Sequence, residues 1–259
     1  MLKTMKTKLS ISGMCCLLVF VFLSCQKENS EITSDQANAK LKQVLLFSKI
    51  DSQDPIGIVE EYEYDDYGKI SKVSSPMYDN GTIVGTIKYD LYEYNSSGQL
   101  IKIINYNANS NSPTGFINLK NTSFIYSTDG KKIKETIEYP LGGITEYSDL
   151  EYQNDLLSKI KKYSGNKLEN YTKFQYDKSD KLFKETFYAS DDQCISYTIH
   201  SYTGPLQTKS NLYTYPANTR YRSINRTFDK NNNIITLESK ELSLHSSLMS
   251  HVLRYMYYE

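Results

Sequence analysis

Tryptophan is absent from this 259-residue chain, histidine occurs three times and cysteine four times. Cys15 and Cys16 lie in an N-terminal leader and Cys25 at its end, so Cys194 is the one thiol left in the body. An intramolecular disulfide and a Cys-x-x-Cys metal cage are both excluded by that count. The histidines, His200, His245 and His251, form no His-Glu-x-x-His motif, and neither a Gly-x-Ser-x-Gly elbow nor a glycine-rich phosphate loop is present. No enzyme and no cofactor are expected. Charge of one sign is lacking too: Lys and Arg total 30, Asp and Glu 30. Removing a leader with Lys3, Lys6 and Lys8 leaves 27 basic residues against 30 acidic, net −3, which invites no nucleic acid. The longest apolar run, Met14 to Leu23, is shorter than the roughly 20 residues a membrane-spanning helix needs.

That run follows a basic stretch and ends at Ser24-Cys25, which makes residues 1–24 a signal peptide. Phe22-Leu23-Ser24-Cys25 resembles the lipobox of bacterial lipoproteins, in which the cysteine is acylated and becomes the new N-terminus. The resemblance implies that Cys25 is a lipid anchor, and two or three acyl chains hold stably where one holds marginally. Residues 25–40 are polar and poor in aromatics, the composition of a flexible tether. Gln26-Lys27-Glu28 resembles the signal that carries Bacteroidota-type lipoproteins to the outer face of the outer membrane. Expected localisation is therefore the outer membrane, lipid-anchored, at the cell surface or else on the periplasmic face.

What the chain has in abundance is tyrosine, 24 copies beside nine phenylalanines. Rings that pack while their hydroxyls stay wet favour half-buried strands. From about residue 41 to 259 the tyrosines mark an internal repeat. An aromatic residue ends an alternating stretch, a short polar turn follows, and an aliphatic residue with a nearby lysine opens the next stretch. Examples are Tyr64-Asp-Asp-Tyr-Gly-Lys-Ile70, Tyr94-Asn-Ser-Ser-Gly-Gln-Leu100 and Tyr176-Asp-Lys-Ser-Asp-Lys-Leu182. The marks are Tyr64, Tyr94, Tyr126, Tyr152, Tyr176, Tyr202, Phe228 and Tyr255, at a period near 26 residues. One period holds two strands and two short turns, so neighbours must be antiparallel and the array a β-meander of tandem hairpins. Gly68, Gly98 and Gly130 suit turns needing positive φ, and Asn80-Gly81 a type I′ turn in the opposite set. About 16 strands would be some 75 Å wide if flat, and twist turns that into a curved or spiralling single sheet, up to a half-barrel. Val44 to Ile50 is expected to pair onto the first hairpin. Pro216 and the charged termini are expected to blunt the edges. Asn107 to Asn118, rich in Ser and Asn, should protrude.

The pattern resembles the YD repeat of Rhs and teneurin-type proteins, where Tyr-Asp or Tyr-Asn, then Gly and an aliphatic residue, marks each hairpin of a long sheet. It covers Tyr62 to the C-terminus, and short Bacteroidota lipoproteins with a few such repeats resemble it most. Rhs shells enclose a cargo domain with many more repeats, so the shell function does not carry over.

Two stripes could form a site. The mark tyrosines Tyr64, Tyr94, Tyr126, Tyr152, Tyr176 and Tyr202 could stack against sugar rings, or could pack on the aliphatic residue opening the partner strand. Lys72, Lys102, Lys134, Lys159, Lys184 and Lys209 could meet an anionic polymer, or could form cross-strand ion pairs with Glu61, Glu93, Glu135, Glu151, Glu185 and Glu238. The expected function is that of a non-catalytic envelope lipoprotein presenting this surface to a glycan or an envelope protein. A second reading is a periplasm-facing lipid carrier or assembly factor with a concave apolar face, to which Ile101, Ile103, Phe183 and Phe187 would contribute. A porin-like membrane barrel fits the strand number, but Lys and Glu recur mid-strand where a lipid-facing band should be unbroken.

Overall fold

The computed structural model describes residues 40–47, 55–79, 82–241 and 250–257. The signal peptide, Cys25, Asn80-Gly81 and His245 lie outside these residues.

The described residues form sixteen strands: β1 (Leu41–Phe47), β2 (Gly57–Tyr64), β3 (Ile70–Asp79), β4 (Thr82–Tyr94), β5 (Leu100–Ala108), β6 (Phe116–Tyr126), β7 (Lys132–Glu138), β8 (Glu146–Gln153), β9 (Leu156–Ser164), β10 (Lys167–Tyr176), β11 (Leu182–Ala189), β12 (Cys194–Thr203), β13 (Leu206–Thr214), β14 (Thr219–Phe228), β15 (Ile234–Glu241) and β16 (Ser250–Tyr257). No helix occurs among them. Each strand pairs antiparallel with its neighbour in sequence, the meander that short turns dictate.

Curvature goes further than a half-barrel. β1 pairs with β2 on one side, through Val44 and Glu60, and with β16 on the other, through Val44 and Tyr255, so the ladder closes into a ring. Closure removes both edges, the most direct way to satisfy edge N–H and C=O groups. The N-terminal segment does pair onto the first hairpin, and it joins the last as well. Pro216, expected to protect an edge, lies instead in the turn between β13 and β14.

The turns show why the repeat carries its signature. Asp65, Asp177 and Asp229 each use Oδ1 to accept from the N–H groups two and four residues on. These bonds favour the ionised form and hold the Asp177 carboxyl below the usual carboxylate range. At Asp229 the larger cause of the same shift is the Asn233 side-chain amide, which donates to Oδ2, and the backbone bonds add to it. The residue at the last corner has positive φ: Gly68 in the first turn, Asp180 and Asn232 where later units lack glycine. Asp and Asn tolerate that region, which is how the later repeats dispense with it. Between Asn107 and Asn118 only residues 109–115 leave the sheet, as both strands run further than the composition suggested.

A register shift recurs just inside these turns. Tyr94 pairs with Leu100 but Glu93 with Lys102, so Ile101 is the extra residue of a β-bulge. Ile133, Phe183 and Ile235 occupy the same place in their hairpins. Apolar character in both strand phases at Ile101 and Phe183 thus reflects bulges rather than a strand greasy on two faces.

Register and burial sort the faces. One carries Val44, Tyr62, Asp90, Tyr92, Ile224, Arg226, Leu237, Leu253 and Tyr255. Val44, Ile224, Arg226, Leu237, Leu253 and Tyr255 are all buried. Tyr62 is close enough to feel Tyr92 and Tyr255, and Arg226 on β14 to feel Glu185 on β11, interactions that bridge intervening strands. That is the inside of the ring. Burial raises the Tyr62 and Tyr92 phenols and the Asp90 carboxyl. The opposite face, with Lys72, Tyr89, Lys134, Tyr171 and Lys184, forms the outer wall.

Candidate functional site: the outer tyrosine wall

The mark tyrosines point inward, with their hydroxyls engaged. Tyr64, Tyr94, Tyr126, Tyr152, Tyr176 and Tyr202 donate to the backbone carbonyls of Leu41, Ile70, Leu100, Lys132, Leu157 and Leu182, at 2.8 to 2.9 Å. Each acceptor is at or next to the first residue of the strand before, so each of these six marks staples its hairpin to the preceding one. Four rings are also capped by a lysine of the preceding unit: Lys40 over Tyr64, Lys69 over Tyr94, Lys131 over Tyr152 and Lys181 over Tyr202, at 5.2 to 5.9 Å. The ladder read from the sequence serves in this geometry as the joint between repeats.

A second tyrosine row stands on the outer wall. Tyr89 stacks on Tyr106, Tyr147 on Tyr163, Tyr171 on Tyr188 and Tyr197 on Tyr213, centroids 4.6 to 4.9 Å apart and planes within 19°. Each pair is a directly opposed register pair within one hairpin, where side chains come closest. Sequence reasoning missed this row although it has a signal: Tyr89, Tyr147, Tyr171 and Tyr197 each stand five residues before a mark, an odd offset that reverses the face.

The lysine stripe runs along the same wall. Lys72, Lys134, Lys159 and Lys184 lie over Tyr89, Tyr147, Tyr171 and Tyr197, at 5.5, 4.3, 4.4 and 4.9 Å. Lys72 pairs with Glu63, which is not one of the glutamates expected as partners of this stripe. Elsewhere the glutamates turn to other partners: Glu151 pairs with Lys161, Glu135 with Lys132, Glu238 with Lys240 and Glu185 with His200. The rings replace them as neighbours of the lysines because strand register sets each lysine diagonally beside the next tyrosine pair.

Two grooves open between these ribs. One, of about 420 Å³, is lined by Lys184, Thr186, Tyr188, Cys194, Tyr197 and the turn residues Tyr215 and Asn218. The other, of about 340 Å³, shares Lys184, Thr186 and Tyr188 and continues past Lys173 to Ser158 and Gln153. They meet at β11, one lined toward β12 and the turn before β14, the other toward β9 and β10. Tyr171 Oη donates to Asp192 Oδ1 at 2.5 Å, and this bond, aided by burial, pushes its phenol up to about 12.

Inside the ring, Glu185, His200, Ser210 and Arg226 form a connected row across β11 to β14. His200 Nε2 lies 2.8 Å from Glu185 Oε1 and His200 Nδ1 3.0 Å from Ser210 Oγ, while Gln207 approaches the same Nδ1. With Nε2 protonated, every contact has a donor and an acceptor. The order is that of a hydrolase relay, but Ser210 is 2% exposed and Arg226 Nη1 donates to its oxygen at 3.0 Å, which opposes nucleophilic use. No cluster of three or more His, Cys, Asp or Glu suited to a metal occurs among the described residues.

No family model matches this chain, and no curated protein matches it. Among solved structures it is similar to a porin-like protein from Bacteroides vulgatus, at 10% identity and TM-score 0.41 over 85% of this chain and 99% of that one. A porin-like protein from Bacteroides uniformis matches at 11% identity and TM-score 0.37, over 84% and 96%. TcdB2-TccC3 matches at 10% identity and TM-score 0.29, over 82% of this chain and 15% of that one.

Proposed function

We propose that this chain is a non-catalytic envelope lipoprotein of the YD-repeat, Bacteroidota type, held by Cys25 and the 25–40 tether, that binds glycans on its outer wall. The observation carrying this reading is the pair of grooves that share Lys184, Thr186 and Tyr188, the larger of the two also lined by Tyr197. Aromatic faces beside polar side chains are what a sugar ring, apolar on its C–H faces and polar at its rim, requires. Lys134, Lys159 and Lys184 in mid-strand favour a wall facing water rather than lipid. The carrier reading is disfavoured by the lumen, where Glu60, Asp90, His200 and Arg226 interrupt any apolar path.

A panel of immobilised glycans tests the reading. Tyr188→Ala and Tyr197→Ala should each lower the affinity of the glycans retained at least tenfold, in protein that circular dichroism shows to be folded. A panel on which nothing is retained, or on which both variants bind as the parent does, would sink the proposal. Its envelope part is tested separately: Cys25→Ser should release the protein from the membrane fraction, and protease treatment of intact cells should remove the body if it faces outward.

A further inference from the structure

We infer that the grooved wall recognises an acidic polysaccharide, one carboxylate to each disaccharide, laid across the strands; this rests on the glycan-binding reading above. Three observations carry it. Lys134, Lys159 and Lys184 stand on β7, β9 and β11, every second strand and two residues along the strand at each step, so they recur at about 12 Å, roughly 10 Å across the strands and 7 Å along them. An extended disaccharide advances by about the same length. Between successive lysines stands one tyrosine pair, and the row ends at Lys184, which lines both grooves.

The second observation is charge. Among the described residues, none of these three lysines has a carboxylate within ion-pair distance, although Lys72 and Lys161 on the same wall do. Lys173, over Tyr171 and Tyr188 at 5.6 and 5.0 Å, adds a fourth such cation at the second groove. The third is chemistry. An ammonium group carries three N–H donors, and a ring face beneath it orients the charge without supplying a carboxylate. An incoming carboxylate therefore meets donors with which it forms charge-assisted hydrogen bonds. Rings at 4.3 to 4.9 Å hold each ammonium in place beforehand, which reduces the ordering cost of binding. The groove of about 420 Å³ accommodates a sugar ring against Tyr188 while the chain continues toward Lys173.

The probes are hyaluronan, which bears one carboxylate per disaccharide, its methyl ester, which has the same backbone without charge, and poly-L-glutamate. Binding of the full chain is measured by titration calorimetry at two salt concentrations. Hyaluronan should bind at least tenfold more tightly than its ester and weaken as salt rises. The triple variant Lys134→Gln, Lys159→Gln, Lys184→Gln should lose that preference, binding hyaluronan no more tightly than its ester. Equal affinity for acid and ester, or a triple variant that keeps the preference, overturns the acidic-glycan inference and leaves the glycan reading standing. Poly-L-glutamate bound as tightly as hyaluronan would also overturn it, showing an unselective polyanion surface. Absence of binding to either form of hyaluronan overturns it as well, and the immobilised panel then decides the broader reading independently.

Discussion

At the scale of single residues, the same side chain does opposite things on the two faces. A turn aspartate such as Asp177 is held ionised by backbone N–H groups, whereas Asp90, inside the ring beside Asn105, is pushed the other way by burial. The direction at Asp90 has a consequence for stability. A carboxyl whose folded pKa is raised is neutral in both states at low pH, and folding is penalised as pH climbs from the unfolded value, about 3.9, through the folded one. Asp90→Asn keeps the hydrogen-bonding shape and removes the ionisation. The variant should therefore be more stable than the parent at pH 7 and match it near pH 3, as urea unfolding at the two pH values would reveal. Greater stability of the parent at pH 7 would refute the assignment.

At the scale of elements, the unit of construction is a hairpin stapled to the one before it. Tyr94→Phe deletes the donor to the Ile70 carbonyl while keeping the ring beneath Lys69. One bond between partly buried groups is worth about 1 kcal/mol. Urea unfolding should show a loss of that order for Tyr94→Phe and none for Tyr67→Phe, whose side chain is 88% exposed in the first turn. This is also where the sequence was most and least legible. Strand number, antiparallel order and turn sites followed from the period of the marks and from their Asp, Asn and Gly residues. The row Tyr147, Tyr163, Tyr171, Tyr188, Tyr197 and Tyr213 did not, because attention to one aromatic per repeat conceals a second set on the other face. Bulges at Ile101 and Phe183 disguised the alternation further, since an extra residue shifts the phase without leaving a distinctive side chain. The lysine stripe was found, yet its neighbours were misjudged: like spacing of Lys and Glu suggests ion pairs, and only the register reveals rings.

At the scale of the whole molecule, everything depends on β1. It is the one strand joining the first repeat to the last, and Val44 and Phe47, at 2% and 3% exposure, are among the most buried residues. Closure could not be read from the repeat, whose units specify contacts with the next unit and not how many complete a turn. Proline at position 45, where β1 lies between Ile58 and Arg254, would remove an N–H and disturb both ladders. Leu45→Pro should open the ring, exposing two strand edges, with self-association in size-exclusion chromatography and increased binding of a hydrophobic dye. A monomeric variant with unchanged dye binding would mean that the other fifteen strands hold the ring without it.

The staple from six mark tyrosines to the preceding hairpin makes those joints chemically alike. A gene segment encoding one repeat can then be copied or lost in frame, and the flanking repeats meet across the scar with the contacts they already possess. Circumference becomes a heritable count rather than a new design problem. Lineages descended from one such ancestor should differ in girth by whole hairpins, and a wall that reads a polymer would lengthen or shorten its footprint by one sugar repeat at each step.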